Sequence, residues 1–349
     1  MKPVTLDSNY ATTRMVVPGK DSLEPLQAKQ LRQSDAEPLL VNGGLRTKGY
    51  QKLSWGINQL SPQPEKPGIN DFLPLVTIIT VVYNNELYLE ETINSVINQS
   101  YDNLEYIIVD GGSTDRTLEI IRQYDHYLDY WISESDRGLY DAMNKGIALA
   151  KGEIIGILNS DDLYLPNTVE QVVQKYQQQP QPCVIYGSMY KFADQYQSLS
   201  LHQGDLSDRA FRDARVLINH PTCFVQRTLY ENWGRFKPEY EVGADRELMM
   251  RFHSHQATFV NLKQPLAKFR LGGTTSNQSL GKIFRRELIQ EYKLLTSYQI
   301  PKRRIAAVLG KKTVQGLRKW IFYLVLGEKL TNQLIMSYVS RKFPQHQPD

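Results

Sequence analysis

Cysteine and long apolar runs are scarce in this 349-residue chain. Its two cysteines, Cys183 and Cys223, stand 40 residues apart with no further thiol near either. That spacing excludes a zinc ribbon and a disulfide framework, and it fits a reducing, cytoplasmic setting. The longest bulky apolar run, Trp320 to Leu326, has seven residues, against about 20 for a membrane-spanning helix, so none is expected. Met1-Lys2-Pro3-Val4 opens without the apolar core of a signal peptide. No solenoid repeat occurs, and the three-glycine spacing of a dinucleotide fingerprint is missing, which argues against a Rossmann oxidoreductase. His253 and His255, two residues apart on a predicted helix, face different sides and do not make a metal pair.

What is present is ordinary for a globular protein, with 41% hydrophobic and 22% charged residues. The net charge of +4 hides an asymmetry, because residues 281–349 carry 14 basic and 4 acidic side chains while the remainder is net negative. Such a basic block can face anionic lipid or water; nucleic acid is not an expected partner. Residues 1–71 hold seven of the 17 prolines without sustained periodicity, and read as a partly disordered leader.

From Val76 the texture changes. The β-branched run Val76-Thr77-Ile78-Ile79-Thr80-Val81-Val82 predicts a strand buried on both faces. Leu89, Ile93, Val96 and Ile97 then keep the spacing of one helix face, with Asn84 and Asn85 as candidate caps. Strands over 104–110, 130–133 and 153–158 alternate with helices carrying Leu118 and Ile121, then 139–150, then a helix begun at Pro166. This alternation implies an α/β domain with a mostly parallel sheet and ligands at the carboxyl ends of its strands. Beyond Cys183 the pattern loosens into strands over 222–226 and 258–262 and a helix over 245–253; from about Ser279 the chain reads as a helical appendage.

Three acidic clusters follow predicted strands. In Val109-Asp110-Gly111-Gly112-Ser113-Thr114-Asp115, Asp110 can accept an N–H from a base or simply shape the turn. Glu134-Ser135-Asp136-Arg137-Gly138, with Tyr140-Asp141 behind it, reads in isolation as a solvated turn and helix cap. In Asn159-Ser160-Asp161-Asp162 two adjacent carboxylates repel one another at the end of an apolar strand; a divalent cation with a diphosphate relieves that repulsion and is the favoured reading, an aspartate turn the plain one.

Taken in order, Thr80-Val81-Val82-Tyr83-Asn84, the Asp110 and Asp162 motifs, and Gly138-Leu139-Tyr140-Asp141-Ala142-Met143-Asn144-Lys145-Gly146 resemble the family 2 glycosyltransferases of GT-A fold, in particular bacterial enzymes of polysaccharide synthesis. The resemblance continues through His220-Pro221-Thr222, Ala244-Asp245-Arg246-Glu247-Leu248 and Arg270-Leu271-Gly272-Gly273, so it spans about 200 residues. It implies a catalytic domain over 72–278, with a nucleotide-sugar half (72–192) and an acceptor half (193–278), followed by a basic helical region over 279–349. It implies transfer, with inversion, from a nucleoside-diphosphate sugar, UDP as first choice, to a glycan or lipid-linked hydroxyl. Asp162 is then the expected ligand of Mn2+ or Mg2+, with Asp161 beside it on ribose or metal. Tyr83, Asn84, Asp110, Asp136 and Asp141 border the nucleotide. Asp245 is the expected base, Glu247 its substitute, and His220 a lining residue of the acceptor site.

Two departures from the family pattern stand out. Asn159 replaces the first aspartate of Asp-x-Asp, and the Gln-x-x-Arg-Trp of processive synthases is broken, since Lys319 follows Arg318 and Trp320 comes one residue late. A non-processive enzyme is expected. Within 301–342, Leu317, Trp320 and Leu324 form an apolar stripe beside Lys311, Lys312, Arg318 and Lys319, which suits peripheral contact with the inner membrane surface or packing on protein. The rival readings are a sugar-nucleotide nucleotidyltransferase, disfavoured by the acidic Tyr83-Asn84-Asn85-Glu86 loop, and a non-catalytic sugar-nucleotide-binding partner of a membrane assembly.

Overall fold

The computed structural model describes residues 41–52, 72–179, 182–193, 196–213, 215–240 and 243–271, several positions between 292 and 313, and short strand segments at 4–5, 15–18 and 55–56. The labelled elements are β1 Val41–Gly43, β2 Val76–Val82, α1 Leu89–Ile97, β3 Leu104–Asp110, α2 Thr117–Gln123, β4 Tyr130–Ser133, α3 Leu139–Leu149, β5 Ile154–Asn159, β6 Leu163–Tyr164 and α4 Thr168–Tyr176. They continue with β7 Cys183–Ala193, β8 Tyr196–His202, α5 Asp208–Arg212, β9 Phe224–Gln226, α6 Arg227–Trp233, α7 Ala244–Ser254 and β10 Thr258–Arg270.

The strands join in one sheet of order β6-β10-β7-β9-β5-β2-β3-β4-β1, with β8 paired to β7. At its centre β5, β2, β3 and β4 run parallel. Every residue of β2 and β3 is buried. Alternation sends Ile79, Val81, Ile107 and Val109 into a core with Ala142, Met143 and Ile147 of α3, and Ile78, Val82, Tyr106 and Ile108 into the opposite core with α1 and α4. Both faces of the sheet are thus covered, and burial of each large aliphatic side chain stabilises by about 1.5–3 kcal/mol. Gly146 lets α3 press on the sheet, since a Cβ there would overlap Ile79. Among the described residues no helix is long and apolar enough to cross a membrane.

The outcome departs from expectation at the amino end. Residues 41–52, counted above with the leader, belong to the domain. β1 pairs antiparallel with β4, and Leu45 and Arg46 donate backbone N–H bonds to the carbonyls of Leu128 and Asp129, both at 2.9 Å. Two buried cations anchor this arm: Arg46 pairs with Glu105 and donates to the Leu149 carbonyl at 2.8 Å, while Lys52 reaches Asp129 at 2.7 Å and the Leu104 carbonyl at 2.6 Å. Composition concealed this, because the arm buries charges where periodicity looks for apolar residues. Burial works against ionised Glu105, but the Arg46 guanidinium and bonds from Lys151 N–H and Thr77 outweigh it and hold its pKa below the usual range.

The start of the basic tail also packs on the domain. Leu294 and Ile305 are buried in the core that contains α7, and Arg304 faces Asp213 at 3.5 Å. The stripe of Leu317, Trp320 and Leu324 lies outside the described residues. Because removing one member of a buried ion pair strands the other charge, Arg46→Met is expected to lower unfolding free energy by about 3–5 kcal/mol, read by urea denaturation. An unchanged midpoint would show that the arm is dispensable.

Candidate active site

Parallel register aligns the carboxyl ends of the central strands, with Asn159 beside Val81, Val82 beside Asp110 and Asp110 beside Ser133. The loops leaving these ends are tied to one another. Asn84, at a left-handed φ of 48°, donates its N–H to Ser113 Oγ and accepts the Thr114 N–H at its Oδ1, each at 2.8 Å. Asn85 takes its N–H to Thr117 Oγ1 at 2.9 Å and its side-chain amide to Ser160 Oγ at 2.8 Å, joining the first loop to the Asp161-Asp162 turn. The asparagines expected as helix caps are therefore loop clamps.

Beside them Tyr83, 58% exposed, and the Asp136 carboxylate converge on Gly111. A Cβ on Gly111 would lie 2.5 Å from Asp136 Oδ2 and 3.3 Å from the Tyr83 ring, so glycine lets these two side chains close over the backbone. Asp136 Oδ1 accepts the Gly138 N–H at 2.8 Å. Asp141 opens α3 and accepts from Arg137, whose charge and hydrogen bonds outweigh partial burial and lower the Asp141 pKa. Asp110 differs from expectation. It is fully buried, and its carboxylate accepts from Ser113 and Ser133, so it shapes the turn beneath the cleft and has no open face for a base.

The acidic pair also divides differently from expectation. Asp162 has no exposed surface, and its Oδ1 accepts the Arg270 backbone N–H at 3.1 Å while its own carbonyl accepts from Thr92 at 2.9 Å. Burial, and then the neighbouring Asp161 charge, push the Asp162 pKa well up. The half-buried Asp161 carboxylate takes no side-chain partner among the described residues, and burial raises its pKa. Asn159 Oδ1 is buried without a hydrogen-bond partner. The oxygens available to a hard cation are thus those of Asp161 and Asn159, with Asp162 as the turn's internal support. No group of three His, Cys, Asp or Glu side chains gathers among the described residues. The set suits Mg2+ or Mn2+, which bind through one or two carboxylates and complete their shells with phosphate and water. Sequence reasoning assigned no role to Arg270, which braces this turn: Nε donates to the Asp161 carbonyl at 3.2 Å, Nη2 to Glu91 at 2.5 Å, and the guanidinium lies over Tyr88 and Phe192.

A second group assembles across α3. The Tyr140 hydroxyl accepts N–H bonds from Gly243 at 3.1 Å and Ala244 at 3.3 Å, fixing the start of α7 where Asp245 sits. Tyr140 stacks on Phe236, and Phe236 meets the edge of His220. Both His220 ring nitrogens are buried without partners; burial lowers its pKa while the Asp245 charge opposes the shift. Glu247 does not join this group. It is 1% exposed, held by Arg251 at 2.7 Å and Lys237 at 2.8 Å, and burial's upward push is outweighed by these two cations, which leave it a weak base.

Comparison with known proteins bears on the family and the fold. The model of the family described as Glycosyl transferase family 2 matches residues 77–232. An uncharacterised glycosyltransferase of Rickettsia typhi is 30% identical over 239 residues, covering 65% of this chain and 72% of the relative. This chain belongs to the family 2 glycosyltransferases. An uncharacterised glycosyltransferase of Haemophilus influenzae shares 28% identity over 222 residues, 58% of this chain and 68% of the relative. The solved mannosyltransferase PcManGT of Pyrobaculum calidifontis, in complex with GDP-Man and Mn2+, has the same fold at a TM-score of 0.51, with 18% identity over 81% of this chain and 84% of its own. A fragment of S. aureus TarS in complex with UDP-GlcNAc also scores 0.51, with 18% identity over 63% of this chain and 66% of that one. The expected GT-A architecture of this glycosyltransferase is thereby met.

Glu247 supplies a test of structural against chemical duty. Its lowered pKa means that its contribution to stability is present above the unfolded value of about 4.3 and is lost as pH falls through the folded one. Glu247→Gln is expected to lose about 1.5–3 kcal/mol at pH 7, with the gap to the parent closing below pH 4. Urea midpoints across pH read this; loss of turnover with full stability would restore it as a candidate base.

Proposed function

We propose that this glycosyltransferase transfers a sugar, with inversion and one residue at a time, from a nucleoside-diphosphate sugar to a hydroxyl of a glycan or lipid-linked acceptor in polysaccharide synthesis. The observation that carries the reading is the placing of Asn159 Oδ1, buried without a hydrogen-bond partner, and of the Asp161 carboxylate, without a side-chain partner among the described residues, at the strand ends that also bring Tyr83, Gly111 and Asp136 together. The nucleotide sugars held by PcManGT and by the TarS fragment support the donor class. UDP remains the leading nucleotide, with the base on Tyr83 and the ribose near Asp136.

Asp161 with Asn159 would hold Mn2+ or Mg2+, which when bound stabilises the negative charge of a departing diphosphate. Asp245 takes the proton of the attacking hydroxyl, from the face opposite the leaving group. Tyr140 orients that carboxylate by fixing the first residues of α7. The unpartnered His220 nitrogens and the Phe236 ring line the place where an acceptor sugar hydrogen-bonds and stacks. The stripe over 317–324 supplies contact with the cytoplasmic membrane face where a lipid-linked acceptor resides.

Two variants test the reading by separate measurements. Asp161→Asn is expected to abolish the Mn2+-dependent part of UDP binding in calorimetry; retention of that part, or turnover indifferent to EDTA, would sink the metal assignment. Asp245→Asn is expected to cut kcat by about 10²–10⁴ while UDP binding persists, the size of a lost general base. Full turnover in that variant would move the base elsewhere.

A further inference from the structure

The four buried basic side chains of the described residues each meet a carboxylate: Arg46 with Glu105, Lys52 with Asp129, Lys145 with Glu134 and Arg270 with Glu91. Lys191 breaks the pattern. It is half-buried on β7, its ammonium lies 5.7 Å from the Phe269 ring centre, and it has no ion pair among the described residues. Burial lowers its pKa. In the β7-β8 hairpin Lys191 is paired with Ser200, and Met189 with His202. Strand alternation therefore puts Lys191, Ser200 and His202 on one face. Ser200 is 4% exposed, and both its hydroxyl and His202 Nε2 are buried without a hydrogen-bond partner. Burial and the nearby Lys191 charge hold the His202 pKa down to about 4, so the imidazole is neutral at working pH and one ring nitrogen can donate.

A cation without an ion pair, and a hydroxyl and an imidazole nitrogen without a hydrogen-bond partner, among the described residues, are a donor set for an oxyanion. We propose that Lys191, Ser200 and His202 bind a phosphate group carried by the donor or by the acceptor. The choice of a substrate phosphate rests on the glycosyltransferase reading, whereas the site itself is tested without turnover.

The probe is inorganic phosphate, titrated into the full chain against chloride at matched ionic strength, with melting temperature as readout. A ligand that binds only the folded state raises that temperature, so the parent is expected to show a saturable rise and Lys191→Met none. Ser200→Ala should weaken the apparent phosphate affinity about tenfold, the loss of one hydrogen bond to a charged group. Without phosphate, Lys191→Met should melt at or above the parent, because a cation with no counter-charge has been removed. An equal phosphate response in parent and Lys191→Met, or a variant that melts clearly lower without phosphate, overturns the site. Given the expected response, a tenfold loss of UDP–Mn2+ affinity in Lys191→Met assigns the phosphate to the donor. Unchanged UDP affinity with a raised acceptor KM assigns it to the acceptor. Failure of the phosphate titration leaves the assignments of Asp161 and Asp245 standing, and their failure leaves this cluster to be judged by phosphate alone.

Discussion

Everything at the cleft depends on the parallel register of four central strands. Because β5, β2, β3 and β4 end level with one another, the chain leaves the sheet at neighbouring points, and short polar side chains can span the gaps between loops. Asn84, Asn85 and Ser113 do so with hydrogen bonds of ordinary length. A slip of one residue in β2 would exchange the side chains it sends into the two cores and separate these partners at once. Core packing and site geometry are therefore two readings of the same register.

The polar groups at this rim divide into those spent on structure and those left uncommitted. Asp110, Asp162 and Glu247 are enclosed and satisfied, and they hold turns and a helix in place. Asn159 and His220 keep buried polar atoms without a hydrogen-bond partner among the described residues, and the Asp161 carboxylate has no side-chain partner there. Buried polar groups are normally paired, so a ligand or water reaching these atoms would complete them. The first turn of α3 ties two regions together, with Tyr140 reaching the start of α7 and Asp141 holding the loop at Arg137.

Legibility in the sequence followed the strength of the physical signal. The runs at 76–82 and 104–110 announced buried strands by β-branched content, and the 3.6-residue spacing of Leu89, Ile93 and Val96 announced α1; each lies where expected. The α/β class and the family followed from motifs in order. The division of labour between Asp161 and Asp162 was not legible, because adjacent identical residues differ only in which way the turn points them. Nor was the arm at 41–52, which is held by backbone pairing and by buried ion pairs to partners 59 and 77 residues away. Arg270 shared that difficulty, since its partner Glu91 lies 179 positions earlier.

The pairing of β1 with β4 has a consequence for how the chain acquires its shape during synthesis. Val41 emerges from the ribosome early but cannot find Ser133 until more than ninety further residues have followed. Closing so long a loop is entropically costly, and until then the arm's own backbone groups stay unpaired and open to any passing strand. Arg46 and Lys52 stay hydrated through that interval and leave water only once Glu105 and Asp129 have been made.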